Sequence, residues 1–204
     1  MSPMARVHRR AAWLAVVLLG LSVLLMGIGA GVGSTGWASI RDLAGDPAAW
    51  QIVIDIRLPR TLGAWLAGAL LGLAGAVAQG LFRNPLADPF LLGSASGASL
   101  GVALALALFG ASPLAASWLT TLGLTGAAFT GAMAAVLLTL ALARGVQHTL
   151  RLLLAGVIVG VVLGALGSLV TLMVPDTMPA MQAFMLGSTG FVGWPACVPM
   201  GLAF

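Results

Sequence analysis

The chain has 204 residues, of which 60% are hydrophobic and 7% charged, with a mean hydropathy of +1.11. A soluble domain carries about a quarter charged residues, so this composition excludes one. The net charge of +4 comes from nine arginines and five aspartates, and the arginines are scattered over the ends of apolar runs. Without a basic face there is no nucleic-acid partner to expect, and these arginines read as topology determinants.

The first apolar segment runs from about Ala11 to Gly33, behind Arg6, His8, Arg9 and Arg10. It is long for a signal-peptide core and further spans follow, so it reads as an uncleaved first helix with a cytoplasmic N-terminus. Ser34 to Asp55 is expected to be a polar connection. Thr61 to Phe82 is the second span, Phe90 to Gly110 the third, Ala115 to Ala143 the fourth and Leu152 to Val174 the fifth. Each is close to the length of about 20 residues that crosses a bilayer as helix. Pro175 to Trp194 is mixed, and Pro195 to Phe204 opens a sixth apolar run. The single cysteine, Cys197, leaves no intramolecular disulfide and no metal-ligand spacing.

With the N-terminus inside, Arg6, Arg9, Arg10, Arg83, Arg144 and Arg151 fall on the cytoplasmic side, and Arg41, Arg57 and Arg60 on the outer side. That asymmetry agrees with the positive-inside rule. Arg57 and Arg60 oppose it, and with them placed at one end of the second span they invite a functional explanation. Glycines recur at helical spacing: Gly68, Gly72 and Gly75; Gly97 and Gly101; Gly156, Gly160 and Gly164. Such rows let helices approach closely in lipid, where packing rather than hydrophobicity drives association. No Asp, Glu, His or Arg lies in the middle of a span, which argues against a free-standing proton- or sodium-driven pump. Gln79, the main polar side chain within a span, is expected to make an interhelical hydrogen bond.

Several motifs occur in order. They are Arg57-Leu58-Pro59-Arg60; Gly68, Gly75 and Gln79; the double-proline turn Asn84-Pro85-Leu86-Ala87-Asp88-Pro89; Leu92-Gly93 with Ser96-Gly97-Ala98; Leu152 to Val157; and Gln182 to Ser188. Together they resemble the FecCD-type permeases of ABC importers, which take up iron–siderophores, haem and vitamin B12. The resemblance runs from the first helix to the last residue. It implies an all-α, polytopic transmembrane bundle of the type II importer kind, with 1–204 as a single permease domain holding five spans and the start of a sixth. Members have about ten helices, as in other transporters of repeated architecture, so the chain is expected to be the N-terminal part of a longer permease: a fragment or frameshifted product, favoured over half of a split subunit.

The resemblance also implies partners and roles. Two permease subunits flank one pathway in a bacterial inner membrane, with lipid around them. ABC ATPase subunits carry the ATP and Mg, leaving no cofactor in this chain, and a periplasmic or lipid-anchored binding protein delivers substrate. Arg57 and Arg60 resemble the docking arginines that meet acidic residues of that protein, a task suited to a permanent, forked cation. Asn84 and Leu86 resemble cytoplasmic gate residues, and His148 and Thr149 align with a second gate loop. Pro175 to Ser188 resembles the short helix that closes the outer mouth.

Two other readings compete. Gly93-Ser94-Ala95-Ser96-Gly97 resembles the serine turn of intramembrane proteases, yet the only histidines, His8 and His148, lie in cytoplasmic flanks, and a serine nucleophile needs a base in reach. A passive channel lacks the rings of charge that select ions. Met173, Met178, Met181 and Met185 cluster toward the outer end, where they are expected to pack a moving helix rather than ligate haem.

Overall fold

A computed structural model of the chain describes residues 3–32, 47–110, 118–144, 149–190 and 192–204. The elements are α1 (Pro3–Gly31), α2 (Pro47–Ile52), a π-helical turn (Val53–Arg57), α3 (Leu58–Phe82), α4 (Ser94–Phe109), α5 (Trp118–Leu142) and α6 (Thr149–Met173). A 3-10 turn (Pro175–Thr177), α7 (Met178–Leu186) and α8 (Trp194–Ala203) complete them. No strand occurs among the described residues. Among the described residues four helical stretches are long and apolar enough to cross a membrane: His8–Gly31, Pro47–Phe82, Gly123–Leu142 and Leu150–Met173.

Two boundaries differ from the sequence reading. The expected polar connection overlaps helix, because helical structure covers Pro47 to Phe82, a run of 36 residues. Pro47 fits a first helical turn, where no N–H is needed, and Ala48, Ala49, Trp50 and Ile52 supply apolar surface. Arg57 and Arg60 therefore sit inside a helical run, not at its end. The third span is also shorter: Phe90 to Gly93 belong to a turn, and α4 has 16 residues, about 24 Å at 1.5 Å per residue.

The chain divides into two compact units, one of Met1–Leu70 with Thr189–Phe204 and one of Leu71–Ser188. In the first, α1 meets the following helical run near its C-terminal end, where Thr61 fills the space beside Gly29. Val192 likewise occupies the place a Cβ on Gly63 would take, and Trp65 meets Phe204 edge to face at 6.0 Å.

In the second unit α4 is the central element. Gly97 abuts the backbone of Gly131 and the methyl of Ala135, and Gly101 the backbone of Ala127, so α4 and α5 cross at close backbone range. Val102, Ala103, Leu106 and Met181 form the buried core, with Leu124, Ala128, Val170 and Ala180 packed around it. α6 closes on the start of α4: a Cβ at Gly156 would meet the Leu91 carbonyl, and one at Gly164 would lie 3.6 Å from the Ser96 hydroxyl. Small residues at these crossings trade side-chain bulk for backbone contact, the usual economy of helix pairs in lipid.

Candidate functional site

Two groups of residues carry the chemistry, one in each unit. The first is built around Arg57-Leu58-Pro59-Arg60. Pro59 has no N–H and its ring crowds the carbonyl four residues back, so an α-helical ladder cannot run through it. The backbone answers with the π-turn Val53–Arg57, in which the Leu58 N–H donates to the Val53 carbonyl. π-turns of this kind mark departures from the α ladder, frequently at functional sites.

The two arginines then diverge in environment. Arg57 is half-buried and its guanidinium donates to the Gly31 carbonyl at 3.4 Å. That carbonyl lies at the C-terminus of α1, where the helix dipole favours a cation. Arg60 is exposed. Thr61 donates to the Arg57 carbonyl at 2.8 Å, and Pro59 is fully buried. The segment around α8 adds two long-range bonds: the Trp194 indole donates to the Ile54 carbonyl at 3.0 Å, and the Cys197 thiol to the Pro59 carbonyl at 3.3 Å.

The second group is the turn from Arg83 to Gly93. Arg83 takes φ 49° and ends α3 in a Schellman motif: Asn84 N–H donates to the Gln79 carbonyl at 3.1 Å, and Arg83 N–H to Gly80 at 3.4 Å. The turn then uses one device twice. Asn84 Oδ1 accepts the N–H of Leu86 at 2.9 Å, and Asp88 Oδ1 accepts that of Phe90 at 2.7 Å. Each is an Asx turn followed by proline, which fixes the next φ. Asn84 is thereby engaged in shaping the loop, while Leu86 projects outward with 89% of its surface exposed.

Gly93, at φ 79°, hands the turn to α4 and lies against Gly156 and Gly160 of α6. Thr139 of α5, 0% exposed, donates to the Leu92 carbonyl at 2.9 Å. Other hydroxyls on these helices bond back to their own helix: Thr130 to Gly126, Ser168 to Gly164, Thr171 to Gly167. Thr139 reaches instead to the loop. Replacing it by valine keeps the shape and removes the donor, which is expected to lower thermal stability by about 1–2 kcal/mol. Thr139→Ser should retain most of it, both read by unfolding in detergent.

The remaining residues singled out in the sequence are placed as follows. The row Gly156, Gly160, Gly164 faces Leu91, Gly93 and Ser96 of the turn and α4, whereas Gly68, Gly72 and Gly75 meet nothing within 4 Å. Thr149 opens α6, and His148 lies outside the described residues. Gln79 is exposed. Of the four methionines Met181 is buried in the core, and Met173, Met178 and Met185 are exposed. Ser96 lies beside the glycines of α6, an arrangement of helix packing that lends the protease reading nothing. Sequence reading missed Thr139 and Trp194, since a lone Thr or Trp in an apolar run carries no signal of its partner.

Several membrane-length helices, joined in one case by a stitched turn, mark a multi-pass membrane protein, and the chain belongs to the FecCD transport family, which it matches over residues 10–204. It is 40% identical over 192 residues to the vitamin B12 import system permease protein BtuC of Salmonella paratyphi A, covering 92% of this chain and 55% of that protein. It is 44% identical over 140 residues to the ferric enterobactin transport system permease protein FepD of Escherichia coli K12, covering 67% of this chain and 40% of that protein. A solved metal-chelate type ABC transporter in an inward-facing conformation superposes with a TM-score of 0.76 at 28% identity, over 94% of this chain and 59% of its own. The chain thus spans about half the length of the curated relatives it matches.

Proposed function

We propose that this chain forms the N-terminal half of the membrane pathway of an ATP-driven importer for a metal chelate or corrinoid: an iron–siderophore, haem or cobalamin. The match to the FecCD family across residues 10–204 carries the reading. The relatives named for vitamin B12 and ferric enterobactin support the substrate class. The chain lies in a bacterial inner membrane with its N-terminus in the cytoplasm. Its companions are a second permease subunit, ATPase subunits that bind ATP and Mg, and a binding protein outside. Alternating access follows because ATP and loaded binding protein each favour a different state of the pathway.

Within this scheme Arg57 and Arg60 dock the binding protein. The turn at Asn84 and Leu86, with the segment at His148 and Thr149, closes the cytoplasmic side. Pro175 to Ser188 covers the outer mouth. The glycines at 68, 72 and 75 lie on an open helix face, suited to contact with another helix of the assembly, while those at 156, 160 and 164 pack within this chain.

The direct test is uptake of radiolabelled cobalamin or ferric siderophore into ATP-loaded proteoliposomes holding the assembled importer. Accumulation that needs ATP is expected for one of these cargoes, and none for any of them would overturn the reading. For the gate, a cysteine at Leu86 should change its reactivity to a membrane-impermeant maleimide by about tenfold or more between nucleotide states, as a population shift of 1.4 kcal/mol requires. Constant reactivity would remove the turn from the gate.

A further inference from the structure

Pro59 creates a hydrogen-bonding problem that its own helix leaves unsolved. The Ile54 carbonyl would ordinarily accept from Leu58 in an α-turn or from residue 59 in a π-turn. Leu58 is committed to Val53, and proline has no N–H to give. The carbonyl is left without either helical donor one turn before the arginine pair. The Trp194 indole N–H fills that vacancy at 3.0 Å. Within the arginine motif itself the Cys197 thiol donates to the Pro59 carbonyl, and Cys197 is buried. Val192, just before α8, seats against Gly63.

We propose that Trp194 is a positioning residue for the docking pair: it completes the helical ladder that Pro59 interrupts and so holds the backbone of Arg57 and Arg60 at the angle the binding protein meets. This rests on the docking role given to the arginines above. The proline and the tryptophan work as one device. The π-turn carries the arginines, Pro59 leaves it one donor short, and the tryptophan, 140 residues along the chain, supplies that donor. Cys197 is the weaker second anchor, since thiols donate poorly.

The device makes a specific demand. Trp194→Phe keeps the ring and deletes the donor. Pro59→Ala restores the N–H that closes the same π-turn onto the Ile54 carbonyl, so it should make the tryptophan dispensable. In the assembled importer in lipid nanodiscs, Trp194→Phe is expected to raise the Kd for the importer's own binding protein about five- to tenfold, the scale of one hydrogen bond. It should also speed amide exchange over residues 54–60 by a similar factor. Both effects should vanish when Pro59→Ala is combined with Trp194→Phe.

Unchanged Kd and exchange in Trp194→Phe would overturn the inference. A weakening that Pro59→Ala fails to rescue would also overturn it, because the ring would then be acting by packing. Arg57→Glu with Arg60→Glu, measured beside these, separates the two levels. If that pair abolishes docking while Trp194→Phe is silent, the docking reading stands and the positioning role falls. If the pair leaves docking intact, the docking reading fails and takes the positioning role with it.

Discussion

Reversing both charges, Arg57→Glu with Arg60→Glu, should weaken docking of the binding protein by on the order of 100-fold or more. Each guanidinium that meets a carboxylate contributes about 1.5–3 kcal/mol as a charge-assisted bond, and reversal adds repulsion. The structure separates the two residues. Arg60 is exposed, so Arg60→Glu alone should slow association and flatten its dependence on salt while thermal stability holds. Arg57 also grips the Gly31 carbonyl at the end of α1, so Arg57→Glu should weaken docking and lower the unfolding temperature together. Binding kinetics at several salt concentrations, with thermal unfolding of the same preparations, distinguish these outcomes. Docking unaltered by the double reversal would remove both residues from the interface.

The second large effect is steric. Gly131→Leu should prevent α4 and α5 from crossing, because the added side chain has only the backbone of Gly97 and Gly101 to enter. Even a methyl there meets the Gly97 carbonyl, and backbone cannot rotate aside as a side chain can. We expect Gly131→Ala to cost about 3 kcal/mol or more and Gly131→Leu to abolish a monodisperse peak in detergent chromatography. Gly126→Ala supplies the control on the same helix, since nothing lies within 4 Å of that position. It should be neutral or stabilising by up to about 1 kcal/mol, the gain of alanine over glycine in a helix. Equal effects at 126 and 131 would show that flexibility rather than contact governs the response.

Composition and hydropathy made the membrane class legible, because apolar runs of about 20 residues have no other economical use. The turn after the second span was legible too: two Asx-Pro pairs specify their own geometry from four side chains. The start of that span was not. Asp55, Arg57 and Pro59 read as a boundary, whereas the backbone absorbs the proline by changing helical register and carries on. Hydropathy weighs side chains and is blind to how a carbonyl finds a donor. The same blindness hid Thr139 and Trp194, whose partners lie 47 and 140 residues away. Glycine rows were visible as rows, but spacing gives no hint of which one touches a neighbour; Gly156 does and Gly68 does not.

The contact between α6 and the turn has a mechanical consequence. Where Gly156 meets Leu91 and Gly93 meets Gly160, no flexible side chain stands between the two backbones. Such a joint has almost no slack, because repulsion rises steeply over a few tenths of an ångström and nothing soft is there to absorb it. The turn works less like a hinged flap than like a tooth meshed with α6. A small rotation or slide of that helix would press directly on the backbone at Leu91 and Gly93, with no side chain to yield first.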